Sequence, residues 1–226
     1  MTTGNFRYLD PASIQDNGPE AWTKVDSDVT SYGRIERRRS VTDIRTSELD
    51  FGIDVSGFDV YNSPPTETSF TDEAAVRTGY YAEVESLLRR KLPGVKKVVI
   101  FDHTIRRREK SAPRQPVQQV HVDQTSFAAE MRVRRHVCSH EVESLIKGRY
   151  QIINVWRPIA YPASDFPLAV IDWSTTTPDD LIKVNLLYPK QTSLADGAAQ
   201  SEICPDPQSA NSTEGYEVKG QLEGTW

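Results

Sequence analysis

The feature that most restricts the fold is the uneven supply of apolar side chains. From Lys190 to Trp226 only six of 37 residues are large and apolar. At about 25 cal/mol per Å² of buried apolar surface, so few side chains do not offset an ordering cost of ~1–2 kcal/mol per residue. The core is therefore expected from residues 41–189, with 190–226 a polar, poorly ordered tail. Residues 1–40 mix polar turns with isolated aromatics (Phe6, Tyr8, Trp22, Tyr32) and read as an irregular arm laid on that core.

Within the core segment one stretch carries sustained helical spacing. Val76, Tyr80, Val84, Leu87 and Leu88 make an apolar stripe over Asp72–Leu92. Asp72 and Glu73 suit the positive end of such a helix, Arg89, Arg90 and Lys91 suit its negative end, and Pro93-Gly94 stops it. A shorter helix is expected from Ser139, with Val142, Leu145 and Ile146 inward and Gly148 as its stop. The remaining apolar runs are short and β-prone: a strand pair within 41–61, then Lys97–Phe101, Pro116–Gln124, Tyr150–Arg157, Leu168–Asp172 and Lys183–Tyr188. The expected class is α+β, a strand-rich core with helices in its first half.

Charge and composition exclude several functions. The net charge is −5 with a pI near 5.5, which argues against a general nucleic-acid binder. Ten Lys/Arg against two acids do cluster between Ser86 and Arg114, but Leu87, Leu88, Val98–Phe101 and Ile105 interrupt them, so a solvated basic face is expected. No run approaches the 18 or so apolar residues of a membrane span. The first residues lack a basic-then-apolar leader, and a cytoplasmic protein is expected. Cys138 and Cys204 form no C-x-x-C and read as reduced thiols. There is no G-x-S-x-G elbow and no phosphate-cradling glycine loop.

His121-Val122-Asp123 is the sharpest chemical signal. On a strand, residues two apart share a face, so Val120 and Val122 point one way while His121 and Asp123 point the other. An imidazole and a carboxylate so placed can supply two legs of a 2-His-1-carboxylate metal site that keeps open positions. H-x-D also arises by chance in a chain of this composition, so context has to decide. All four histidines fall between His103 and His140. His136, 13 residues past Asp123, is a weak candidate for a third ligand, and His140 a weaker one. In 150–157, Tyr150, Ile152, Asn154 and Trp156 share one face, and Asn154 and Trp156 are candidates to line a substrate pocket.

The stretches FDHTIRRR (101–108), VHVDQTSFAAEMRVRRH (120–136), GRYQIINVWRPI (148–159), DFPLAVID (165–172) and DDLIKVNLLYP (179–189) resemble the AsaB-like hydroxylase/desaturase family, which is similar to gibberellin desaturases. DIRTSELDF (43–51) and YYAEVESLLRR (80–90) extend the resemblance to roughly residues 40–189. It implies a double-stranded β-helix, or jelly roll, using Fe(II) and 2-oxoglutarate to hydroxylate or desaturate a small secondary metabolite, with the metal held by His121 and Asp123. The family's distal metal histidine and the arginine that grips 2-oxoglutarate come from later strands. Here the matching text stops at Pro189 and no histidine follows His140, so the jelly roll is expected to be incomplete at its C-terminal end. The second reading is a catalytically inactive relative that acts by binding a partner.

Overall fold

A computed structural model describes residues 2–14, 18–25, 27–45, 47, 50–107, 117–159, 161–164, 167–188 and 213–218. The chain forms two compact units, each discontinuous in sequence: residues 1–58, 118–151 and 170–226 make the first, and 59–117 with 152–169 make the second.

The first unit contains two sheets. Strands β1 (Thr2–Leu9) and β3 (Arg34–Val41) pair antiparallel along their full length, Tyr8 opposite Ile35. The second sheet runs β2-β5-β6-β4, from β2 (Trp22–Lys24), β5 (Leu181–Leu187), β6 (Thr213–Val218) and β4 (His121–Val122). Tyr8, fully buried, packs with Phe6, Ile35, Val41, Val120, Ile171 and Leu181, while Leu9, Ala21, Tyr32 and Val184 form a neighbouring cluster.

Two expectations are corrected here. Residues 1–40 are not an irregular arm: β1 buries Tyr8 and Leu9, and the turn leading to β3 is tied by the Asp10 amide donating to the Gly33 carbonyl at 2.9 Å. The segment after residue 190 is not uniformly without structure either, because β6 pairs antiparallel with β5 on one side and β4 on the other. That pairing is made by main-chain groups, which an apolar census does not see. The rest of the tail, Cys204 and the basic loop from Arg108 lie outside the described residues.

The second unit is built on the expected helix. It runs through α1 (Glu73–Ala75), a π-helical turn (Val76–Tyr80) and α2 (Tyr81–Lys91), capped by the Asp72 carboxylate accepting from the Ala74 amide at 2.8 Å. Within the π turn Thr78 donates its hydroxyl to the Ala74 carbonyl at 2.8 Å, a back-bond that disturbs regular α geometry. Phe70, Val76, Tyr80 and Val84 form the core, with Ile100, Ile105, Val155 and Ile159 packed against it.

Among the described residues no strand forms at 97–101, 150–157 or 168–172, and no strand pair within 41–61. A β-prone run becomes a strand only where a neighbour completes its ladder, and these have none among the described residues. Ile100, Val155 and Ile159 are instead held by side-chain packing.

Candidate metal centre

The expected strand over 116–124 contracts to the two residues of β4. Upstream, the Val120 amide donates to the Arg7 carbonyl at 2.9 Å and Gln119 bridges Arg7 in parallel. Downstream, Thr125 starts α3 (Ser126–His136), its hydroxyl accepting from the Ala128 amide at 3.0 Å. This helix was not expected from the sequence. The signal was present, since a threonine precedes the helix-formers Ala128, Ala129, Glu130 and Met131. His121 and Asp123 thus sit on a five-residue link between a main-chain clasp and a capped helix.

The two side chains converge, although β4 ends at Val122 and Asp123 lies in the bend that follows, so the strand expected to carry both carries only His121. His121 Nε2 lies 3.2 Å from Asp123 Oδ1, and the side chains are 36% and 48% exposed, so the pair faces open space. On its other side the ring lies against the Gln119 carbonyl, with Nδ1 to oxygen at 2.8 Å. Both neighbours are acceptors, so the ring can donate from either nitrogen, and a metal between Nε2 and the carboxylate would take the place of the proton on that side. A neutral imidazole nitrogen and an ionised carboxylate oxygen side by side are the donor set a first-row divalent metal takes. This chemistry fits two of the three protein positions of an iron site. Among the described residues no group of three or more His, Cys, Asp or Glu is placed to hold a metal.

All four histidines are described, so each can be placed. His136 ends α3 and is half-buried without joining the pair. There Arg134 bridges Glu130 at 2.8 Å and Glu143 of α4 (Ser139–Leu145) at 2.6 Å. His140 is exposed in the first turn of α4, whose cap is Cys138 rather than Ser139, with Val142 buried as expected. His103 belongs to the second unit, where both ring nitrogens are engaged. Nδ1 accepts from the Tyr81 hydroxyl at 2.7 Å, and Nε2 donates to Glu73 at 3.1 Å.

Asn154 and Trp156 are also in the second unit, and both are exposed, Trp156 by 50%. The side chain of this stretch that turns to the core is Val155, of opposite parity, and the Arg157 guanidinium lies 5.1 Å from the centre of the Tyr80 ring. Burial of Tyr80 pushes its phenol above the ordinary value, with Arg157 opposing the shift. No helix among the described residues is long and apolar enough to cross a membrane.

Comparison with known proteins places this geometry. The chain is 38% identical over 118 residues to the Fe(II)/2-oxoglutarate-dependent dioxygenase nvfI of Aspergillus novofumigatus, an alignment covering 51% of this chain and 42% of that one. It is 34% identical over 161 residues to the hydroxylase/desaturase CTB9 of Cercospora beticola, covering 64% and 49%. The chain thus spans about half the length of these curated relatives. A solved structure of the iron and alpha-ketoglutarate-dependent endoperoxidase NvfI superposes with a TM-score of 0.73 at 23% identity, over 96% of this chain and 75% of that one, so the two share a fold. A family model described as an oxidoreductase/YMDC permease-like domain matches residues 6–204. The chain therefore belongs to the oxidoreductase/YMDC permease-like domain family, and its relatives include the fungal hydroxylase/desaturases that VHVDQT and GRYQIINVWRP resemble.

Proposed function

We propose that this chain carries an Fe(II)- and 2-oxoglutarate-dependent oxygenase centre, acting on a small molecule of secondary metabolism by hydroxylation or desaturation, on a jelly-roll framework. His121 and Asp123 hold the metal. The observation that carries the reading is their convergence at 3.2 Å on an exposed link. The names of the relatives support the class of cofactor and of reaction. Bound there, iron supplies the one-electron chemistry that couples decarboxylation of 2-oxoglutarate to oxidation of an unactivated C–H bond.

The chain's own part is to orient the donors. With a metal at Nε2 of His121, the Gln119 carbonyl would accept from Nδ1–H and hold the ring, and the Thr125 cap fixes where the link ends. The test is anaerobic Fe(II) binding followed by succinate release on admission of oxygen, with His121→Ala and Asp123→Ala losing both. One observation favours a second reading, a binding protein without turnover: none of the other three histidines joins the pair as a third ligand. Metal-independent retention of a small molecule with no succinate supports that alternative.

A further inference from the structure

We infer that Arg157 is the cation of a carboxylate-binding site in the second unit, built on the Phe70–Tyr80 aromatic pair. The inference stands apart from the metal centre. Every residue it uses belongs to the second unit, and its test needs no iron.

The sequence puts a charge where its neighbours are core residues. In 155–159, Val155 and Ile159 pack against the apolar cluster of the unit, and Arg157, of the same parity, is half-buried. Its guanidinium lies 5.1 Å from the centre of the Tyr80 ring, which meets Phe70 edge to face at 4.9 Å. The Nε of Arg157 is buried without a hydrogen-bond partner, and among the described residues no carboxylate pairs with this guanidinium. Glu83, whose charge acts on the Tyr80 phenol, accepts from the Thr66 amide with both oxygens, at 3.1 and 3.2 Å.

Two further observations concern the same aromatic pair. A second guanidinium, that of Arg107, donates to the Ser69 and Phe70 carbonyls at 3.1 and 3.3 Å. Phe70 itself holds φ at 51°, a left-handed conformation that a bulky residue rarely adopts. Strained backbone that the surrounding structure holds in place is a mark of ligand clamps.

An arginine keeps its charge on burial, and a buried charge without a counter-ion is costly. The face of a tyrosine ring offsets part of that cost, but it does not satisfy an orphaned N–H. A carboxylate supplies the missing charge, and its two oxygens match two parallel N–H bonds of a guanidinium.

The experiment follows the Arg157 Nε–H signal by proton–nitrogen NMR, and the thermal unfolding midpoint, in metal-free protein. Sodium 2-oxoglutarate, benzoate or phosphate is added at constant ionic strength. A carboxylate held here should shift the signal saturably and raise the midpoint, the folded-to-unfolded ratio growing about tenfold at ten dissociation constants. A response confined to 2-oxoglutarate identifies a dicarboxylate, and one that benzoate also gives identifies a carboxylated small molecule. Arg157→Met keeps the stem without the charge and should lose the carboxylate response of the midpoint. Without added anion it should unfold no earlier than the natural sequence, because a buried charge lacking its counter-ion has been removed. Should Arg157→Met fail to fold, Arg157→Lys keeps the charge without the fork and should weaken the response. No saturable response to either carboxylate, a response to phosphate alone, or one left unchanged in the variant would overturn the inference.

Discussion

Thr125→Val removes one hydroxyl at the point where the metal-site link becomes a helix, and its cost can be worked from the structure. Thr125 is 3% exposed, and its hydroxyl is the acceptor for the amide of Ala128, itself 2% exposed. Valine has nearly the same shape, so the loss is that of a cap plus a buried donor left unmatched. Caps are worth about 1 kcal/mol and up to ~2, and a buried unmatched donor costs about 1–3. These describe one hydrogen bond and are not added. The expected destabilisation is about 1–2 kcal/mol, a fall in Tm of roughly 3–6 °C for a chain of this size. Thr125→Ser, which keeps the acceptor, should recover most of it. The assay is denaturant unfolding of the three proteins followed by far-ultraviolet circular dichroism, with the midpoint compared at unchanged slope. A Thr125→Val protein within about 0.5 kcal/mol of the natural sequence would refute the reasoning, since that is the range of surface substitutions that touch nothing.

Further outcomes follow from other parts of the molecule. Val184, 1% exposed on β5, should cost about 2 kcal/mol on replacement by alanine, the transfer of two methyl groups plus a small cavity, measured by the same unfolding transitions. Backbone amides of Thr213–Val218 should be protected in hydrogen exchange, and Gly215→Pro, opposite Val184, should abolish that protection by removing a ladder donor. The Tyr61 phenol is pushed up to about 12, first because Asp59 accepts its hydroxyl hydrogen bond and then by burial and the Asp59 charge. The folded state therefore holds this proton more tightly, and the stability it confers is present below the ordinary value of 10.0 and lost as pH rises through about 12. An ultraviolet titration should show several late phenolates, of which Asp59→Asn returns that of Tyr61 toward 10.0 and leaves those raised by burial, such as Tyr80, in place.

What could be read from the sequence was whatever repeats locally. The Val76–Leu88 stripe marks its helix because 3.6-residue spacing is visible within one window, and the closeness of His121 to Asp123 was legible because they are two residues apart, though the strand expected to carry both ends at Val122. Strand β3 escaped because RIERRRSV looks like a charged loop. In the fold Ile35, Arg37, Arg39 and Val41 make its inner face, and the Arg39 guanidinium lies 5.5 Å from the centre of the Tyr8 ring, so a charged side chain packs there against the core. Strand β6 escaped because TEGYEV offers only Tyr216 and Val218 in a polar tail, and its place is set by main-chain pairing with distant strands. The opposite error occurred at Val98–Phe101 and Ile152–Val155, where apolar runs suggested strands that no neighbour completes among the described residues. The hydrogen bonds of the Gln119 side chain to Arg34 and Tyr32 were invisible for a related reason: the partners lie more than 80 residues away, and no periodicity connects them.

The most direct test of the central claim is anaerobic Fe(II) titration of the 226-residue protein in the presence of 2-oxoglutarate, alongside His121→Ala, Asp123→Ala and His136→Ala. Two protein donors make a weak site, so low-affinity one-to-one binding is expected, with succinate released slowly once oxygen is admitted. His121→Ala and Asp123→Ala should abolish the binding, and His136→Ala should leave it unchanged. Binding that survives the loss of both His121 and Asp123 would contradict the assignment. Tight binding that disappears in His136→Ala would show that a third ligand completes the site after all.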